Sequence, residues 1–307
     1  MEVPTISLAG VRDVLASGGS LVEVVSLIRS ACEETGFFTL VDHGIDQSLL
    51  DLQGQACAQF FSRPPQSLIV DMVSSTESRF AWLDYVPDGG DKAAVWSLGP
   101  IAGRGSMRWE PGDLCQTWLS YYAAMEELVD VLMKLFALSL DLPVDSFRTA
   151  LSGHRSSLRA ILYPEISEAE LEAAGGEIVR NGEHTDWGCV TVLLAEEADG
   201  LELLRRDGSW ASLQPSGGLI VNLGDLLPYW TGGRWKATRH RVMARSTSRA
   251  ARLSIPYFGL VNRSTVLEPI TCKADSNATE KILTAGEFFD NHEVYMRDVQ
   301  EADGLLS

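Results

Sequence analysis

Between Leu158 and Phe258 the sequence breaks into short apolar and β-branched runs: Leu158–Tyr163, Cys189–Ala195, Leu201–Leu204, Leu219–Asn222, Arg239–Met243 and Leu253–Phe258. Each has a strand's length, and Gly, Pro and Asp turns divide them. Close succession of short strands predicts a double-sheet barrel or jelly roll. Helices are predicted around it. Leu21, Val24, Val25, Ile28 and Cys32 recur at helical spacing after a Ser20–Glu23 capping box, with Gly36 as a stop. Ile6-Ser7-Leu8 reads as a first strand and Phe37–Val41 as a buried one. Asp46 opens a second amphipathic helix that ends before Pro64-Pro65, a long helix spans Trp118–Leu140, and Ala285–Val299 reads as a closing helix.

The expected fold class is therefore mixed α+β, a double-stranded β-helix (jelly-roll) core flanked by helices. Its expected regions are 1–112 (helices, outer strands and a substrate loop), 113–152 (helical spine), 153–265 (jelly-roll core) and 266–307 (closing helix). From Ser74 to Gly112 the periodicity fails, while Arg79, Phe80, Trp82, Tyr85 and Trp96 remain. A long irregular stretch that keeps its aromatics reads as a functional loop rather than a linker.

With 307 residues, 45% of them hydrophobic, the chain can bury a sizeable core. A formal net charge of −17 argues against a partner with a phosphate backbone, which needs a basic face. The five cysteines (Cys32, Cys57, Cys115, Cys189, Cys272) are odd in number, scattered and without CxxC spacing, which points to reduced, buried thiols. Met1-Glu2-Val3-Pro4 does not open a basic, then apolar leader, and no apolar run approaches a membrane span. The expectation is a cytoplasmic protein with no membrane or nucleic-acid partner; its oligomeric state is open, and a monomer suffices.

The chemistry centres on His184-Thr185-Asp186, just ahead of the Cys189–Ala195 run. On extended backbone, residues i and i+2 leave one face with Cα atoms about 6.6 Å apart, so an imidazole and a carboxylate can lean toward one ion. His240, in another short run, is the third candidate. Two His and one carboxylate on one side of a metal leave the remaining positions open, the arrangement of non-haem Fe(II) oxygenases. Arg252 and Ser254, again at i and i+2, place a guanidinium and a hydroxyl together, which suits one end of a dicarboxylate.

In this order these motifs resemble the iron(II)/2-oxoglutarate-dependent dioxygenase superfamily, in its isopenicillin N synthase-like branch. Val3–Leu8, Ala31–Gly44, Val221–Asp225, Gly233–Val242 and Arg252–Phe258 carry the likeness, which covers nearly the whole chain. The resemblance implies Fe(II) on His184, Asp186 and His240. It implies 2-oxoglutarate on Arg252 and Ser254, with help from Tyr163 of the Tyr163-Pro164 pair. Dioxygen is then the second co-substrate, and ascorbate serves as an optional reductant. Plant relatives commonly carry Asn where Ile161 stands, so the metal-proximal carboxylate must be steadied by another group here.

Arg159 shares a strand face with Ile161 and Tyr163 and can meet a substrate carboxylate or carbonyl. Arg79, Trp82 and Tyr85 are substrate-pocket candidates by their place in the irregular stretch. Phe258 is expected in the core and Asn222 in a structural turn. His43, His154 and His292 read as structural or surface residues, and Asp225 and Glu183 as turn or rim. The implied activity is hydroxylation of an unactivated C–H in a small biosynthetic intermediate of secondary metabolism or antibiotic biosynthesis, derived from an amino acid or small peptide. Desaturation, cyclisation or epoxidation are variants of it. The rivals are an iron oxidase of the isopenicillin N synthase type that needs no 2-oxoglutarate, a zinc hydrolase on the same ligands, and a non-catalytic receptor.

Overall fold

A computed structural model describes residues 3–62, 94–98, 113–195, 200–213, 217–270 and 282–292. Strand alternation sets its layers. In β11 (Arg252–Gly259), Leu253, Ile255 and Tyr257 pack into the larger core, and the alternate residues Arg252, Ser254 and Phe258 face the other way. The same division holds in β4 (Ser157–Tyr163), β6 (Val190–Ala195), β9 (Leu219–Leu223) and β2 (Phe37–Val41). Leu158, Ala160, Val190, Val192, Val221 and Phe38 turn outward into that core.

These strands form a seven-stranded sheet in the order β1-β2-β9-β6-β11-β4-β3, with β1 (Thr5–Ser7) and β3 (Ala94–Leu98) at its edges. All its pairings are antiparallel except β1 with β2. A four-stranded sheet, β5 (Ile178–His184), β10 (His240–Ala244), β7 (Leu201–Leu204) and β8 (Trp210–Ser212), completes the expected jelly roll. Between the two lies a second, smaller core of Phe37, Tyr163, Leu201, Leu203, Leu213, Ile220 and Val242.

Helices cover the outer face of the large sheet. The long one, Asp113–Ser139, spans about 40 Å at 1.5 Å per residue. It buries Trp118, Tyr121, Tyr122, Met125, Leu128, Leu132 and Phe136, each side chain contributing about 1.5–3 kcal/mol if fully removed from water. The Tyr122 hydroxyl donates to the Ser156 carbonyl (2.9 Å), pinning that helix to the entry of β4. Asp46 caps the helix Gln47–Phe61 by accepting from the Ser48 N–H, as its position predicts.

One local expectation changes. The helix Val22–Glu34 begins after Leu21 with no side-chain cap, so the Ser20–Glu23 box does not form. Gly36 does end that helix, in a left-handed conformation (φ 63°), and a Cβ there would collide with the Lys236 carbonyl. The closing helix is described over Ala285–Asp290, capped by a Thr284–Glu287 box; beyond residue 292 the expected extent to Val299 lies outside the described residues.

Candidate iron and 2-oxoglutarate site

The two candidate histidines come from neighbouring strands of the small sheet. His184 ends β5 and His240 begins β10, and they are direct cross-strand partners with ring centroids 4.3 Å apart. The sequence predicts His184 at the entrance of the run after it; instead it closes a strand, and Asp186 lies in the turn between β5 and β6. That turn carries the carboxylate to the large sheet, where it meets Thr191 of β6 and Asn222 of β9, themselves register partners. The ligand atoms of His184, Asp186 and His240 all lie within 4.8 Å of one another, and both imidazole Nε2 atoms stand 3.9 Å from Asp186 Oδ1.

Hydrogen bonds decide which atom of each side chain is offered. Asp186 Oδ2 accepts from the Thr191 hydroxyl (2.6 Å) and the Asn222 amide (2.7 Å), which leaves Oδ1 toward the histidines. The carbonyls of Gly182 (2.7 Å) and Thr238 (3.1 Å) lie against Nδ1 of His184 and His240. A proton on each Nδ1 donates to its carbonyl, so each Nε2 presents a lone pair to the common point. Burial pushes the Asp186 carboxyl up, but His240, the Asn222 and Thr191 hydrogen bonds and His184 together hold it below its usual value. Burial lowers the His240 pKa, and the Asp186 carboxylate offsets only part of that. The set is thus a carboxylate and a neutral His240 imidazole with the His184 ring beside them, the donor chemistry that suits Fe(II).

The turn is held by main-chain contacts. Asp225 N–H donates to the Asp186 carbonyl (2.7 Å), Gly224 to Cys189 (3.0 Å) and Cys189 to Gly259 (2.9 Å). Glycine is required at Gly188, where a Cβ would come within 2.7 Å of the Gly259 carbonyl. The Asp225 carboxylate is buried. It accepts from the Thr185 hydroxyl (2.9 Å) and pairs with His292 Nε2 (2.7 Å), while the His292 ring stacks on half-exposed Trp187. Asp225, expected at a turn or rim, and His292, expected as structural or surface, therefore brace the metal turn from behind. Asn222 has its expected structural role, but toward a ligand side chain.

The remaining candidates divide by position. Arg252 (6% exposed) and Ser254 (4%) sit side by side on the inner face of β11, in register with Tyr163 and Ile161 of β4. The Arg252 guanidinium lies 5.8 Å from the Tyr163 ring centre. Arg159 stands over the Phe258 ring at 4.9 Å. Its side chain is exposed, yet lost hydration depresses its pKa, with the Asp186 carboxylate partly restoring it. Phe258, expected in the core, is only half-buried and shares a register row with Thr191, Asn222 and Phe37, whose ring meets His240 edge-on at 5.5 Å. Arg79, Trp82 and Tyr85 lie outside the described residues.

Comparison with known proteins agrees with this geometry. The sequence model of the 2OG-Fe(II) oxygenase superfamily matches residues 155–260, and that described as non-haem dioxygenase in morphine synthesis N-terminal matches 3–67. A 2-oxoglutarate-Fe(II) type oxidoreductase, hxnY, of Emericella nidulans is 30% identical over 284 residues, 84% of this chain and 80% of that one. This chain is a 2OG-Fe(II) oxygenase. A naringenin,2-oxoglutarate 3-dioxygenase of Matthiola incana is 29% identical to the oxygenase over 299 residues, 94% of this chain and 80% of the relative. Among solved structures, a full-length Neurospora crassa protein in complex with alpha-KG and 5-formyluracil superposes with a TM-score of 0.83 at 22% identity, covering 94% of this chain and 95% of that one. JOX2 in complex with 2OG, Fe and JA gives 0.72 at 22% identity, covering 94% and 84%. The oxygenase takes Fe(II) on the His184–Asp186–His240 triad and uses 2-oxoglutarate as co-substrate on a small molecule.

Proposed function

We propose that Arg252, Ser254 and Tyr163 hold the far carboxylate of 2-oxoglutarate, and that Arg159 receives a carbonyl or carboxylate of a compact, ring-bearing substrate that is hydroxylated beside the triad. The observation that carries this is the inner face of β11 and β4, which aligns Phe258 and Arg159 near the metal ligands with Ser254, Arg252 and Tyr163 further along the same strands. A buried guanidinium beside a hydroxyl matches a carboxylate in charge and in donor geometry. Arg159 over Phe258 offers a cationic edge above an apolar face, which suits a flat ring with a polar substituent. Relatives named for naringenin and a neighbour solved with 5-formyluracil support a ring compound of this size. An amino-acid-derived ring from a biosynthetic pathway meets the same demands.

Bound iron(II), with 2-oxoglutarate and dioxygen, supplies the oxidising power that replaces C–H by C–OH while the keto acid becomes succinate and carbon dioxide. The chain's own part is placement. The Gly182 and Thr238 carbonyls fix the imidazoles, Thr191 and Asn222 fix the carboxylate, and Leu201, Leu203, Ile220 and Val242 keep the inter-sheet space apolar. Desaturation, cyclisation or epoxidation would follow from a different placement of the substrate in this cleft.

The test is a panel of ring compounds with and without a carbonyl or carboxylate, assayed with Fe(II), 2-oxoglutarate and dioxygen for product and succinate. Arg159→Leu is expected to raise KM for the best substrate by about tenfold or more, as for a lost charged hydrogen bond, while KM for 2-oxoglutarate stays put. Equal KM values for substrates with and without the polar group would sink the Arg159 role.

A further inference from the structure

Strand β5 departs from regular pairing at two points. Opposite it, His240, Val242 and Met243 of β10 face His184, Asn181 and Val179, so β5 carries an extra residue in each interval. The second extra residue is Arg180. A bulge of this kind turns a side chain out of the strand's alternation and aims it elsewhere. Here it delivers a guanidinium that is 1% exposed. Its Nη2 donates to three main-chain carbonyls, Pro164 (2.9 Å), Arg249 (2.9 Å) and Ala250 (2.8 Å). Its Nε is buried with no hydrogen-bond partner, and no carboxylate among the described residues forms an ion pair with it.

Those carbonyls have a common address. Pro164 follows Tyr163, and Arg249 and Ala250 precede Arg252 by three and two positions; Tyr163 and Arg252 are paired across β4 and β11. A second strut, the Ile166 N–H to the Arg249 carbonyl (2.8 Å), ties the same two segments. A buried cation held by peptide carbonyls, with no ion pair among the described residues, gives up much of its hydration, so an apolar residue would be the less costly staple.

We propose that Arg180 is a positioning residue for 2-oxoglutarate, clamping the backbone at the ends of β4 and β11 so that Tyr163 and Arg252 present their side chains in one fixed relation. This rests on the assignment of Arg252 and Tyr163 to the far carboxylate. It adds a residue from the opposite sheet that touches neither metal nor co-substrate. The same strand thus carries the iron ligand His184 at its end and the co-substrate support four residues earlier.

The experiment compares full-length wild type, Arg180→Met, Arg180→Lys and Arg252→Ala, loaded with Mn(II) in place of iron. Calorimetry measures the Kd of Mn(II) alone and then of 2-oxoglutarate on the loaded protein. Arg180→Met is expected to weaken 2-oxoglutarate about tenfold or more while Mn(II) affinity stays within about threefold, with Arg180→Lys intermediate. A folded Arg180→Met that binds 2-oxoglutarate within about twofold of wild type, or that loses Mn(II) and 2-oxoglutarate alike, overturns the proposal. Should Arg180→Met not fold, Arg180→Lys decides by the same criteria. Unchanged 2-oxoglutarate affinity in Arg252→Ala would overturn the underlying assignment, whereas loss there with none in the Arg180 variants overturns the positioning role alone.

Discussion

At the scale of single residues, the ligand triad depends on groups that never reach the ion. Asp186 can offer Oδ1 because Thr191 and Asn222 occupy Oδ2. Asn222→Ala should therefore lower Fe(II) or Co(II) affinity about 10- to 100-fold with the circular dichroism spectrum unchanged, as read by anaerobic metal titration. The thiols give a second expectation. Burial pushes Cys32 and Cys189 well above the usual thiol range, so both stay protonated at neutral pH. Iodoacetamide applied to the native protein at pH 8 should leave both unlabelled by mass spectrometry, and both should react after denaturation.

At the scale of elements, the C-terminal helix Ala285–Asp290 is joined to the metal turn through His292, Asp225 and Thr185. Removing the imidazole leaves a buried carboxylate short of a partner, so His292→Ala should cost about 1.5–3 kcal/mol in a denaturant melt. His292→Gln, which keeps a donor, should recover part of it. What the sequence made legible follows from the same elements. Strands with one face on the helix layer, such as Leu219–Leu223 and Arg252–Gly259, have an apolar pattern that survives inspection. Strand β5 does not, because Ile178-Val-Arg-Asn-Gly-Glu-His184 is bulged twice and buries its arginine, so no period-two signal exists to be read. The triad residues were legible because their types and order are unusual; their geometry was not, since it depends on a turn that crosses between sheets. Nor could the linear sequence show that Asp225 and His292, 67 positions apart, meet behind that turn.

At the scale of the molecule, the site draws on both sheets, while among the described residues the long helices pack on the larger one, so ligands should tie the sheets together. On the metal-loaded protein, 2-oxoglutarate at about 100 times its Kd should add roughly 2.7 kcal/mol to unfolding beyond what the metal itself adds, and EDTA should remove both, as measured by thermal melts at several ligand concentrations. A melting temperature indifferent to both would contradict a site built between the sheets. One further consequence follows from His184 and His240 being opposite one another across β5 and β10. Sliding either strand by a single position would turn its imidazole to the far side of the sheet. Iron uptake therefore works as a check on assembly, since only a chain whose small sheet has zipped in the correct alignment can hold the ion.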